Sequence, residues 1–248
     1  MQLQFEQSKL IRKINKIRTK INDFFLPVSV KQIIDDVQKN RLTYLSDSRL
    51  KKLAKTCLDI ESNKIKGSII EAGCALGGSS IVITASKSKK RKLMVYDIFA
   101  TIPPPSEKDG HEVHERYKLI ASGDSKGLGE DIYYGYIPNL YEKVANNFEK
   151  LGLKIDENNV TLIKGFLEET LIINEPVCMA HIDVDWYKPV YLCLERIDPW
   201  LTVGGSFIVD DYFDWSGCKR AVNEFFRDIS KKYSFDFSAG SMIITKLN

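Results

Sequence analysis

The sequence predicts an α/β fold built on a doubly wound, mostly parallel β-sheet. Three observations carry that expectation. Short apolar runs of strand length alternate with amphipathic helical segments after residue 66. A glycine-rich turn follows the first of those runs, and the chain closes on two strand-like runs separated only by Ala239–Gly240. Strands that alternate with helices pair in parallel and bury helices against both faces of one sheet. The closing pair reads as a hairpin that finishes the sheet with an antiparallel edge strand.

Helical patterns fill most of the first 65 residues, broken near Pro27 and around Leu45–Asp47, so residues 1–65 are expected to form a helical N-terminal extension and residues 66–248 the main domain. Within the extension, Gln7–Lys20 carries Leu10, Ile14 and Ile17 at helical spacing beside six basic residues. It reads as an amphipathic helix packed on the core or on a sister subunit, with a solvated basic face. Ser48–Leu58 continues as helix. Ser68–Ala72, Lys92–Asp97, Val160–Lys164, Val177–Asp183 and Ser206–Asp210 are the expected strands, with Ser234–Ser238 and Ser241–Lys246 as the closing pair. Helices are expected at Ser79–Ser86, Tyr141–Leu151, Pro189–Leu201 and Cys218–Lys232. Residues 101–137 interrupt the alternation: polar, with Pro103–Pro105, several glycines and Tyr133, Tyr134 and Tyr136. A long irregular segment after a strand's C-terminal end is expected to serve as a substrate lid.

Composition narrows the function. A formal net charge of only +3 over 248 residues gives no argument for nucleic acid or an anionic membrane as the main partner. No apolar run approaches a membrane span, and the N-terminus lacks a signal-peptide core. The five cysteines show no CxxC pairing and no cluster with the three histidines, which fits reduced thiols in a cytoplasmic protein.

The run Ile69–Ser80 passes from strand through a glycine-rich turn into a helix. Glycine lets a ligand approach the main chain there, and the helix N-terminus favours negative charge. No Gly-Lys-Ser/Thr follows, so it is not a phosphate loop, and Gly73, Gly77 and Gly78 do not give the dinucleotide GxGxxG. They match E/D-x-G-x-x-x-G, which holds the methionine part of S-adenosylmethionine; the bland alternative is an ordinary strand–helix turn. Asp97 ends the second strand about twenty residues on, where doubly wound folds place an acid for ribose hydroxyls. Gly165 and Phe166 follow the third strand and could close on the adenine edge, though Phe166 also suits plain core filling.

Two further strands end in acids: Asp183 and Asp185 after one, Asp210 and Asp211 after the next. Alternation along a strand sends Asp183 and Asp185 to opposite faces, so one of them is expected in a common site. Converging carboxylates repel unless a cation compensates, and all-oxygen ligation points to Mg²⁺. The alternative is that they cap helices or pair with Lys188 and Lys219. Such a metal would lower the pKa of an acceptor hydroxyl, with Asp183 as candidate catalytic base and the lid histidines His111 and His114 as alternatives.

The order of these motifs resembles the macrocin O-methyltransferase family, over roughly residues 41–228. Arg41–Ser46, Ile69–Ser80, Tyr96–Phe99 with Pro103–Pro105, Asn147–Leu153, Gly165–Leu171, Asp183–Tyr187, Gly204–Tyr212 and Gly217–Phe225 each resemble one of its segments. The resemblance implies a Rossmann-like class I methyltransferase sheet. It also implies S-adenosyl-L-methionine and Mg²⁺ as cofactors and a small-molecule acceptor, most readily a sugar-containing metabolite. Asp183, Asp210 and Asp211 would hold the metal. Tyr44, Leu45, Glu71, Ala72, Gly73, Cys74, Ala75, Gly78, Ser79, Ser80, Asp97, Phe99, Gly165, Phe166 and Asp183 would surround the methyl donor. The departures, Lys188-Pro189-Val190 after the acids and the longer lid, fall on the acceptor side. A catechol-type methyltransferase of the same fold and a non-catalytic cofactor-binding protein are the competing readings.

Overall fold

The strands β1 (Ser68–Ala72), β2 (Leu93–Asp97), β3 (Val160–Lys164), β4 (Val177–Ile182), β5 (Leu201–Val209), β6 (Tyr233–Asp236) and β7 (Met242–Lys246) hydrogen-bond into one sheet. This is a computed structural model that describes residues 26–248, so the Gln7–Lys20 segment lies outside the described residues. Strand order is β3-β2-β1-β4-β5-β7-β6. All neighbours pair in parallel except β5–β7 and β6–β7. The closing hairpin is therefore present, with its reversed strand β7 one place in from the edge. The order reverses at β1 and β4, and a crevice opens there beyond the strands' C-terminal ends.

Alternation along the strands explains the two helical layers. Ile69, Val95, Met179, Ile208 and Ile243 face α1 (Val28–Lys39), α2 (Asp47–Ser62), α3 (Gly78–Ser86) and α5 (Leu140–Lys150). Ile70, Ala180, Phe207, Val209 and Ile244 face α6 (Leu167–Thr170), α7 (Tyr187–Ile197) and α8 (Ser216–Phe226). β1 and β4 are buried at every position, as central parallel strands covered on both faces must be. The helices α1 and α2 share the first core, and α3 packs against both. Among the described residues no helix is long and apolar enough to cross a membrane.

The segment 101–137 departs from expectation. It contains α4 (His111–Ala121), followed by a bridge between Lys126 and Ile132. Val113, Tyr117 and Ile120 give the helical stripe, and Val113 and Ile120 are buried. Prolines and glycines on either side obscure that stripe in the sequence. The segment is also anchored. Buried Asp109 accepts from Ser106 N (2.9 Å) through one oxygen and from Tyr187 N (2.7 Å) through the other, capping α7. Glu112 accepts from Ser216 N at the start of α8 (3.2 Å).

Candidate functional site

The glycine-rich turn folds tightly because three successive demands fall on small residues. Gly73 and Gly77 have φ of 82° and 88°, and Ala75 joins them in the left-handed region at 47°. Gly73 N–H donates to Tyr96 O (2.8 Å) and Gly78 N–H to Leu42 O (3.0 Å), which fixes the turn between β2 and the chain before α2. From α5, buried Asn147 donates to Leu76 O (3.0 Å). The Asn-Phe segment of the sequence thus supports the turn from behind.

Two cavities flank this turn. The larger, about 720 Å³, runs from Gly73 and Asp97 past Gly165 and Phe166 to Pro103–Lys108 and Tyr187–Pro189. The smaller, about 310 Å³, is lined by Thr43–Leu45, Gly73–Ala75, Ser79 and the acids Asp183, Asp185, Asp210, Asp211 and Asp214. Asp97, Gly73 and Asp183 line both. Together they form one elongated depression, with Gly165 and Phe166 towards one end, Asp97 in the middle, and Ser79 and Leu45 towards the other.

Asp97 does more than face the cavities. Its Oδ2 accepts from Cys74 N (2.8 Å) and Ala75 N (3.2 Å), and its Oδ1 from Phe99 N (2.7 Å). Burial pushes its carboxyl above the usual range, while these main-chain amides hold it down. The side chain therefore ties the glycine turn to the end of β2 and keeps some acceptor capacity for a ligand hydroxyl.

Some expected residues stand one layer back. Glu71 is fully buried, pairs with His181 Nδ1 (2.8 Å) across the β1–β4 register and accepts from Ser80 Oγ. Ala72, Gly78, Ser80 and Phe99 line neither cavity; Phe99 packs edge-on to Tyr141 at 5.0 Å. The expectation for His111 is corrected. It sits at the exposed start of α4, 88% of its side chain accessible, beside Glu115 (3.6 Å) and outside both cavities. A helix starting at 111 turns it to solvent. His114 is spent on Ser106 O (3.1 Å).

The acids do converge. One oxygen each from Asp183, Asp210 and Asp211 lies within 4.8 Å of the others. Asp183 N–H donates to Ala72 O and Asp210 N–H to Ile182 O, so both main chains are held by the neighbouring strand. The expectation that Asp185 points away is overturned, because β4 ends at Ile182 and Asp185 takes a left-handed turn (φ 57°). Its N–H donates to Asp211 Oδ2 (3.1 Å) and its Oδ1 accepts from Trp215 Nε1 (2.8 Å). Three oxygen donors at this spacing can hold a hard divalent cation.

Crowding shows in the protonation of the cluster. Burial first, then the charges of Asp210, Asp185 and Glu71, push Asp183 well above the ordinary carboxylate range. Burial and the charges of Asp185, Asp183 and Asp210 do the same to Asp211. Burial raises Asp185 to about 6 against the Trp215 hydrogen bond and the charge of Arg116. The folded chain thus keeps protons that the unfolded chain has already lost, so stability falls as pH rises through about 6. In chelator the melting temperature should drop between pH 5 and 7.5, and added Mg²⁺ should restore more at 7.5. A flat profile in chelator would show that these acids share no uncompensated charge.

The sheet order, with the glycine turn after β1 at the switch in strand order, is that of the class I methyltransferase fold. The macrocin-O-methyltransferase (TylF) family model matches residues 12–232, and the chain belongs to that family. It is an S-adenosylmethionine-dependent O-methyltransferase. Demethyldecarbamoylnovobiocin O-methyltransferase of Streptomyces niveus is 28% identical over 196 residues, 77% of this chain and 70% of the relative. The 8-demethyl-8-(2,3-dimethoxy-alpha-L-rhamnosyl)-tetracenomycin-C 4'-O-methyltransferase of Streptomyces olivaceus is 28% identical over 189 residues, 74% and 67% of the two chains. Among solved structures, the O-methyltransferase NovP superposes with a TM-score of 0.72 at 21% identity, covering 92% of this chain and 99% of that one. This last similarity speaks for the fold alone.

Proposed function

We propose that this enzyme methylates a hydroxyl of a sugar-containing small molecule, with Mg²⁺ or a similar hard cation at Asp183, Asp210 and Asp211. The observation that carries the reading is the position of Asp183. It lines both cavities, beside the glycine turn on one side and within reach of the other two acids on the other. A methyl donor laid along Gly73–Ser79 and an acceptor entering beside the acids would meet there.

The walls suit a polyhydroxylated ring. Trp186, Trp215, Tyr133 and Tyr134 supply aromatic faces. Arg116 supplies donors and Asp185 acceptors on the same cavity. One relative's name specifies a rhamnosyl group. Trp186 is fixed by its Nε1–H to Pro103 O (2.9 Å), and it meets Trp215 edge-on at 5.7 Å. The helices of the 1–65 extension, from residue 26 onward, cap the methyl-transfer domain of residues 66–248.

When bound, a hard divalent cation makes the acceptor hydroxyl more acidic. Asp183, which borders the glycine turn and lies within reach of the other two acids, would take the hydroxyl proton. The aromatic walls would exclude water, and residues 101–137 with the N-terminal helices would restrict the acceptor's orientation, which supplies much of the rate in a transfer of this kind.

The test is incubation of the protein with S-adenosylmethionine and a panel of glycosylated small molecules, with and without chelator. The expected result is a gain of one methyl on a sugar hydroxyl, lost in chelator and restored by Mg²⁺, while S-adenosylhomocysteine still binds by calorimetry. Undiminished turnover in excess chelator would remove the metal from the reading. Methylation confined to aromatic hydroxyls would remove the sugar.

A further inference from the structure

Arg49 reaches the acids from α2 with its donors committed. Its Nη1 donates to Asp210 Oδ2 (2.7 Å), and its Nη2 donates to Asp214 Oδ2 (2.6 Å) and Gly240 O (3.1 Å). The other oxygen of Asp210 accepts from Ser241 Oγ (2.8 Å). One proposed metal ligand is therefore engaged at both oxygens, one of them by a cation. Asp183 and Asp211 have no basic side chain within ion-pair distance among the described residues.

We propose that Arg49 is a resident counter-cation of the acidic cluster: it holds Asp210 before a divalent cation binds and weakens that cation's binding by competing for the same carboxylate. The inference rests on the metal reading above. A guanidinium keeps its charge at any working pH. Its side chain is only 17% accessible, so solvent screens it poorly from a second cation a few ångströms away. Asp214, 45% accessible, gives it a second carboxylate to keep when Asp210 turns to a metal.

The β6–β7 turn is shaped to hold it. Ala239 and Gly240 are both left-handed, with φ of 70° and 94°, and their carbonyls accept from Ser48 Oγ (3.3 Å) and Arg49. Lys52 fastens the same turn through Asp236 (2.7 Å) without touching the acids.

The test is metal titration of the protein saturated with S-adenosylhomocysteine, by calorimetry for Mg²⁺ and by the free-ion paramagnetic signal for Mn²⁺. Arg49→Gln should bind both ions about tenfold more tightly or better, while Arg49→Lys, which keeps the charge, should stay within about threefold of the parent. Asp214→Asn leaves Arg49 to Asp210 alone and should bind about threefold or more weakly. Lys52→Gln should bind as the parent does. In chelator Arg49→Gln should melt below the parent and gain more from Mg²⁺. Equal or weaker metal binding by Arg49→Gln overturns the proposal. So does parent-like or tighter binding by Asp214→Asn, which decides the matter if Arg49→Gln fails to fold. A Lys52→Gln variant that matches Arg49→Gln would assign the effect to the strap and overturn it too. If the parent protein binds neither ion, the metal reading itself falls.

Discussion

Asp183→Asn should lower kcat by about 10²–10⁴-fold at saturating methyl donor and divalent cation. Asparagine fills the same space, and the main chain stays tied by Asp183 N–H to Ala72 O at 2.9 Å. What disappears is the charge and the proposed proton acceptor at an acid that, like Asp97 and Asp185, lines both cavities, and that also reaches Asp210 and Asp211. The fold should not suffer. Burial and three neighbouring acids oppose ionisation of Asp183, so removing its charge relieves repulsion in the metal-free protein. Asp210→Asn is the informative comparison. Asp210 already satisfies Arg49 at 2.7 Å and Ser241 at 2.8 Å, so its loss leaves a guanidinium half-paired and weakens metal binding. It should raise the Mg²⁺ requirement more than it lowers kcat at saturating Mg²⁺. The measurement is a pair of steady-state series, one varied in Mg²⁺ and one in acceptor, with melting temperatures in chelator. An Asp183→Asn enzyme within about threefold of the parent would refute Asp183 as base and ligand together.

The parts of this site that were legible in the sequence are those set by strand chemistry. An apolar run that ends in an acid gives the strand and the acid's place at its C-terminal end, so Asp97, Asp183, Asp210 and Asp211 were all found that way. Glycines at a strand–helix turn gave Gly73–Gly78. What escaped depends on backbone conformation or on contacts between distant segments. Alternation misplaced Asp185 because β4 stops before it and a left-handed residue redirects the chain. Arg49 and Asp210 are 161 residues apart, and nothing local in either segment announces their pairing. Asp109, buried between residues 101–137 and α7, sits in a polar stretch with nothing local to mark it. The helix α4 hid between prolines and glycines although Val113, Tyr117 and Ile120 carry its stripe. The same segment misled the choice of base, since His111 read as a lid residue and is instead the solvent-facing start of that helix.

Gly73→Ala should weaken S-adenosylhomocysteine binding by about 100-fold or more and lower the melting temperature by well over the few degrees that strain alone would cost. Two costs add at this position. Gly73 has φ of 82°, which an alanine adopts at a penalty of about 1 kcal/mol. Its Cβ would also stand 1.9 Å from Asp183 O, a main-chain atom with no flexible end to swing aside. Ala72 pairs with Ile182 in the β1–β4 register, so the two residues are the next rung of adjoining parallel strands. Relief requires those strand ends to part. That movement would carry Asp183 away from the glycine turn and break the bonds from Gly73 N to Tyr96 O and from Asp183 N to Ala72 O. Two other glycines separate strain from clash. Gly123 has φ of 85° with nothing within 4 Å of an added Cβ, so Gly123→Ala should show strain alone. Gly77, at 88°, would crowd Val144 Cγ1 at 2.9 Å, a side chain that can shift, with its other neighbours at an ordinary 3.7 Å, and should fall between the two. Calorimetry with S-adenosylhomocysteine and thermal melts of all three variants decide the order. Gly73→Ala binding like the parent and melting like Gly123→Ala would mean that β1 and β4 can separate at this edge without consequence, and the close approach of the turn to Asp183 would then have no part in building the site.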